Sequence, residues 1–107
     1  MKRISSARSR ACQIPHRVME KVFERDHGRC IMCERNNGQP VAHFVPRSKG
    51  GLGIEENIMT LCWECHDLFD HGAKDIRQLM RLKAIEYFKS IYPDWDEQKL
   101  YYKNRGK

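Results

Sequence analysis

Cys30-Ile31-Met32-Cys33 and Cys62-Trp63-Glu64-Cys65 enclose a segment that begins Ala42-His43-Phe44-Val45-Pro46-Arg47 and holds Asn57 near its end, and His66 follows the last cysteine directly. A Cys-x-x-Cys pair grips one edge of a tetrahedron. Two such pairs separated by a hairpin-sized insert therefore predict a closed zinc site in which Cys30, Cys33, Cys62 and Cys65 use all four positions, with none left for a catalytic water. Such a zinc is structural. It contributes on the order of 10 kcal/mol of apparent folding free energy.

Length makes that contribution important. A chain of 107 residues predicts one domain, and a domain of that size buries a modest share of its surface and gains from a metal staple. The fifth cysteine, Cys12, reads as an unpaired thiol. Met1 to Arg10 has no continuous apolar run, so no secretory signal is expected, and no stretch reads as membrane-spanning. A cytoplasmic, reducing location follows as the expectation, and there paired Cys-x-x-Cys units bind metal more often than they form disulfides.

The net charge is +6, with Lys2, Arg3, Arg8 and Arg10 at one end and Lys99, Lys103, Arg105 and Lys107 at the other. Nucleic acid is the natural polyanionic partner for such a surface, although basic ends also serve solubility alone.

Local patterning supplies the elements. Residues 1–13 are polar and basic and read as a flexible arm. Pro15 followed by Val18, Met19, Val22 and Phe23 predicts a helix that ends at Asp26-His27-Gly28. Val41 to Val45 and Ile58 to Leu61 predict two short strands, joined by a loop rich in glycine and basic residues. A helix is expected from Trp63 to His71. A longer one follows from about Asp75 to Tyr92, with Ile76, Leu79, Leu82, Ile85 and Phe88 as its apolar stripe and Pro93 as its stop. The predicted organisation is an arm over 1–13, the domain over 14–93 and a basic tail over 94–107.

Two other readings of the cysteines fail on context. Cys62-Trp63-Glu64-Cys65-His66 fits covalent haem attachment, but that leaves Cys30 and Cys33 without a role. The zinc deaminase pattern needs Pro before its Cys-x-x-Cys, where this chain has Leu61.

Within residues 30–71, Ala42-His43, Pro46-Arg47-Ser48-Lys49-Gly50-Gly51, Asn57 and Leu61-Cys62-Trp63-Glu64-Cys65-His66 follow one another in the order found in HNH endonucleases. The chain resembles that family. The resemblance implies an α+β fold, a zinc-stabilised ββα-metal core with flanking helices, and hydrolysis of DNA phosphodiesters to 5′-phosphate and 3′-hydroxyl ends. It implies that His43 is the general base, that Asn57 fixes the hairpin around it, and that His66 binds a catalytic Mg²⁺ or Mn²⁺. A lone strand histidine is usually a packed or exposed side chain and a lone asparagine a turn residue. Their joint placement between two cysteine pairs favours the functional reading. An imidazole with an unperturbed pKa near 6.5 suits a base at physiological pH.

The chain departs from the family pattern at Ala42, where relatives commonly carry a metal-binding Asp or His. Asp70 lies four residues after His66 on the same helical face and is the expected substitute; His71, which points elsewhere on an ideal helix, is the alternative if the helix is distorted. Ala42→Asp is expected to restore the missing ligand. Arg47 and Lys49 are expected to face DNA phosphates, the alternative being solvated loop charges. His16 and His27 read as surface residues. One active site cuts one strand, so nicking is expected, and double-strand cleavage needs a homodimer or partner. Similar small proteins accompany phage packaging (terminase) machinery, so the rival expectation is a catalytically weak or inactive DNA-binding accessory subunit of a packaging or restriction system.

Overall fold

A computed structural model describes residues 6–103. The chain runs through α1 (Ala7–Cys12), α2 (His16–Arg25), β1 (Gln39–His43), β2 (Ile58–Leu61), α3 (Trp63–His71) and α4 (Lys74–Ile91), with single 3-10 turns at Arg47–Lys49 and Glu97–Leu100. β1 and β2 form one antiparallel hairpin, and α3 follows it directly. This is the mixed helix and two-stranded architecture expected. Among the described residues no helix is long and apolar enough to cross a membrane.

β1 begins and ends two residues earlier than the β-branched run suggests. Pro40 has no N–H to give the ladder, and the register shifts between Gln39 and Ala42 before Ala42 pairs with Met59 and His43 with Ile58. Alternation along the strand then puts Ala42 into the core at 1% exposure and turns His43 the other way.

Phe44 is the centre of the core. Its ring lies 6.2 Å from Phe69, 6.0 Å from Phe88 and 5.6 Å from Trp95, which joins the strand to α3, to α4 and to the segment beyond α4. Edge-to-face and tilted aromatic pairs of this kind add about 0.5–1.5 kcal/mol each beyond simple burial.

The end of α2 is tied down by a buried ion pair. Arg25 donates to Asp26 at 2.7 and 2.9 Å and also to the main-chain oxygens of Glu55 and Ile58. Asp26 in turn accepts from the Thr60 amide and the Tyr87 hydroxyl, so one carboxylate links α2, β2 and α4. Burial works against the Arg25 charge, but Asp26 and Tyr92 overcome it and the guanidinium is held more firmly protonated than in water. His27 and Gly28 both have positive φ as the helix ends. A Cβ on Gly28 would meet the Phe23 ring at 2.8 Å, so glycine lets the chain turn back under that ring.

Three expectations need correction. Residues 7–12 of the expected flexible arm are helical. Ser6 caps α1 by accepting from the Ser9 amide at 3.0 Å, and Cys12, buried at 2% exposure, docks it. The expected basic tail is also part of the domain over its described length. Trp95 and Leu100 are buried, the Trp95 indole donates to Glu56 O at 2.8 Å, and Tyr102 N donates to Gly50 O at 2.7 Å. Lys2, Arg3, Arg105 and Lys107 lie outside the described residues. Thirdly, α4 buries Ala84 and Phe88 and packs Met80 and Ile85 on the core, while Ile76, Leu79 and Leu82 are exposed. Steps of three residues slip roughly 60° round a helix each time, so the i+3 stripe cannot stay on one face, whereas Met80, Ala84 and Phe88 at i+4 spacing nearly can.

Candidate functional site

The two knuckles close on each other across the base of the hairpin. The Sγ atoms of Cys30, Cys33, Cys62 and Cys65 all lie within 4.8 Å of one another, and none of these residues forms a disulfide. Cys33 Sγ is 3.7 Å from Cys62 Sγ. The edge of a tetrahedral zinc thiolate site is about 3.8 Å for Zn–S bonds of about 2.3 Å, so the donor set fits a structural zinc ion.

Each knuckle is preshaped by its own backbone. The Cys33 amide points to Cys30 Sγ at 3.5 Å and the Cys65 amide to Cys62 Sγ at 3.4 Å, while Cys62 also caps α3. Burial opposes a thiolate at Cys30, but the amides of Cys33, Cys62 and Met32 outweigh it and bring its pKa to about 7. Cys65 is pushed well up, by burial first and then by its neighbouring thiols. Outside the cluster, Lys83 of α4 donates to Met32 O at 2.9 Å, and Arg35 pairs with Glu64 at 2.7 Å to bridge the two knuckles.

On the opposite face of the hairpin lies a cleft of about 390 Å³ lined by His43, Pro46, Arg47, Ser48, His66, Asp70 and His71. His43 comes from the end of β1, and His66 and Asp70 from successive turns of α3. His66 Nε2 is 3.3 Å from Asp70 Oδ2, an arrangement that offers one nitrogen and one carboxylate to a cation. His71 lines the same cleft, although an ideal helix would point it elsewhere, and its Nδ1 is 3.1 Å from Asp67.

Asn57 is wholly buried and does not line the cleft. Its Oδ1 accepts from the Val45 amide at 2.7 Å, and its Nδ2 donates to Val45 O at 3.2 Å and Leu52 O at 2.8 Å. One side chain thus ties together both ends of the loop that carries Arg47 and Lys49.

The His43 ring meets a group outside the hairpin. Its Nε2 lies 2.9 Å from the main-chain oxygen of Cys12, and since a carbonyl can only accept, Nε2 carries the proton and Nδ1 keeps the lone pair. Burial pushes the His43 pKa down, and the charges of Arg47 and His66 push the same way against the Cys12 carbonyl and Asp70. The imidazole is therefore biased towards its neutral, proton-accepting form.

Arg47 lines the cleft, while Lys49 lines a neighbouring cavity of about 440 Å³ together with Arg77 and Arg81 of α4. The two share Pro46 and Asp70 and so adjoin. Arg77 donates through Nε to Gly72 O at 3.0 Å, and Arg81 lies 4.4 Å over the Phe44 ring and 3.2 Å from Glu97. Neither arginine stands out in the sequence, because only the fold brings α4 alongside the loop. Cys12 was equally hidden, since its contribution is a main-chain oxygen and not its thiol.

Comparison with known proteins agrees with this geometry. The family model for HNH endonucleases matches residues 30–69, which takes in both knuckles, the hairpin and most of α3. The chain is 36% identical over 59 residues to Anaredoxin from Nostoc sp. (strain PCC 7120 / SAG 25.82 / UTEX 2576), an alignment covering 53% of this chain and 78% of that protein. No solved structure matches significantly. With four cysteines placed to hold one metal ion, a two-stranded hairpin leading into a helix, and histidines from both elements meeting in one cleft, residues 30–69 of the chain form an HNH endonuclease domain.

Proposed function

We propose that this protein is a metal-dependent DNA endonuclease that nicks one strand. The observation that carries the reading is the convergence of His43 with the His66–Asp70 pair in a single open cleft beside the basic loop. His43 accepts a proton at Nδ1 from water as the water oxygen attacks phosphorus. The bond from phosphorus to the 3′ oxygen breaks, the 3′ oxygen takes a proton from solvent, and a 5′-phosphate remains on the other side. His66 and Asp70 would hold Mg²⁺ or Mn²⁺, which would supply charge stabilisation at the phosphate and the departing oxygen. Arg47 and Lys49 hold neighbouring phosphates, which positions the strand without reading its bases. Asn57 keeps the loop closed behind them.

Nicking of supercoiled plasmid in Mn²⁺ or Mg²⁺, with end analysis of the products, tests the reading. His66→Ala and Asp70→Ala are expected to lose activity at low metal concentration. Retained metal dependence in Asp70→Ala would remove that residue from the site.

One observation favours a second reading, that of a zinc-stabilised DNA-binding or accessory subunit with weak or no nuclease. Ala42 offers no ligand and its methyl group is packed in the core, so the cation would have only two protein ligands. DNA binding that survives His43→Ala, with no cutting in any divalent ion, would support it.

A further inference from the structure

We infer that Trp63 is a stacking platform for an unpaired nucleobase of the DNA strand that occupies the catalytic cleft. The inference deepens the nuclease reading and takes from it the identity of the ligand. Trp63 is 63% exposed, whereas the other tryptophan, Trp95, is 9% exposed and lies within the core. A large indole left in water forgoes substantial apolar burial. Its position explains how it comes to be outside: Cys62 and Cys65 turn inward to the metal cluster, and the residue after Cys62 faces out at the first turn of α3.

The ring is nevertheless held in place. It stacks on His66 with centroids 5.9 Å apart and an interplanar angle of 12°. One face is thereby fixed against a cleft residue while the rest of the indole meets solvent. An aromatic surface ordered before binding costs little entropy when a ligand stacks on it.

The surroundings select a base over a phosphate. A recess of about 300 Å³ is lined by Trp63, His66, Asp67, Asp70 and His71, and it shares His66, Asp70 and His71 with the catalytic cleft. Asp67, which lines this recess and not the catalytic cleft, repels a phosphate, whereas a neutral base is indifferent to it and can stack. The cations Arg47, Lys49 and Arg77 line the catalytic cleft and the cavity adjoining it, away from Trp63. A strand with its phosphates on that basic side therefore presents one base to Trp63. In a duplex the faces of the bases are covered by their neighbours, so the nucleotide that stacks is unpaired. The substrate class is single-stranded DNA, or duplex DNA with an unpaired nucleotide beside the cut.

Intrinsic fluorescence of the zinc-loaded full chain, without added Mg²⁺ or Mn²⁺, tests this. Trp95 is a built-in reference, since it is buried, stacked on Phe88 at 3° and hydrogen-bonded through its indole. Titration with a single-stranded thymidine oligonucleotide is expected to quench the emission of Trp63, and Trp63→Phe is expected to abolish that quench while keeping affinity within a few-fold. Trp63→Ala is expected to bind the oligonucleotide roughly 5- to 150-fold more weakly, as the loss of one base–aromatic stack implies. An abasic oligonucleotide of the same length and a long blunt duplex should quench little. Equal quenching by the abasic strand, unchanged affinity in Trp63→Ala, or no response to the thymidine strand would each overturn the proposal. Binding is read here without cleavage. A protein that stacks the oligonucleotide on Trp63 yet never cuts DNA would defeat the nuclease reading alone, and one that cuts DNA without this response would defeat the stacking site alone.

Discussion

His43 Nε2 and the main-chain oxygen of Cys12 are 2.9 Å apart, which makes the end of α1 part of the surroundings of the proposed base although it lies outside the matched family segment. That helix end is also pinned by the Gly53 amide, which donates to Ala11 O at 3.0 Å, and the start of the helix by Arg8, which donates to Ser48 O at 3.0 Å.

Gly53 provides the handle for testing that link. A Cβ there would lie 1.8 Å from Gln13 O, so Gly53→Ala must push α1 away from the loop. Nicking should fall about 10- to 100-fold, the range expected when a catalytic group is displaced by about 1 Å. Cys12→Ser, which keeps the carbonyl, should remain active. Plasmid nicking rates, checked against circular dichroism for folding, distinguish this from a helix that merely covers the surface.

The pH dependence follows from the same residue. Burial holds the His43 pKa below its usual 6.5, with Arg47 and His66 adding to the effect. The neutral form accepts the proton, so the rate should already be level near neutrality and fall only on acidification below about 6.5. Stability shares the sign. A depressed folded-state pKa contributes stability above the unfolded value, and this is lost as pH falls through the lower one. A pH profile of kcat/KM whose acid limb lay above 6.5 would contradict the placement.

Zinc removal should unfold the domain. Chelation removes ligation worth on the order of 10 kcal/mol, comparable to the whole net stability of a small domain, and Cys33→Ala breaks the same four-ligand site. Zinc binding should also weaken on acidification, because thiols such as Cys65, pushed up by burial and neighbouring thiols, must shed protons to bind. Metal content and thermal melting measured together check both points.

Ala42→Asp should destabilise the protein instead of improving it. Ala42 is 1% exposed and packs with Met59 and Phe44 in the core, on the side of β1 away from the cleft. An aspartate there is buried without a partner and should cost several kcal/mol. Chemical denaturation reads the cost directly. A stable variant with higher activity at low metal would show that residue 42 can reach the cation after all.

Much of this was legible in the residues. The cysteine pairs, the strand at Ile58–Leu61 and the helix from Trp63 to His71 stand where their patterns put them, because ligand spacing and local propensity act over a few residues. Asn57 bonds to Val45 and Leu52 across the loop. What escaped depends on distant contacts. α1 has only Ala7, Ala11 and Cys12 as apolar residues, so nothing local announces that it docks, and Trp95 and Leu100 reach the core only because the chain folds back after Pro93. Arg77 and Arg81 look like ordinary surface charges of a helix until α4 lies beside the loop.

Nicking of supercoiled plasmid by zinc-loaded protein in Mn²⁺ and Mg²⁺, wild type against a folded His43→Ala variant of matched purity, tests the central claim most directly. The cleft geometry predicts cutting by the wild type and none by the variant. Equal cutting by both, or by neither, would contradict a nuclease that uses His43 as its base.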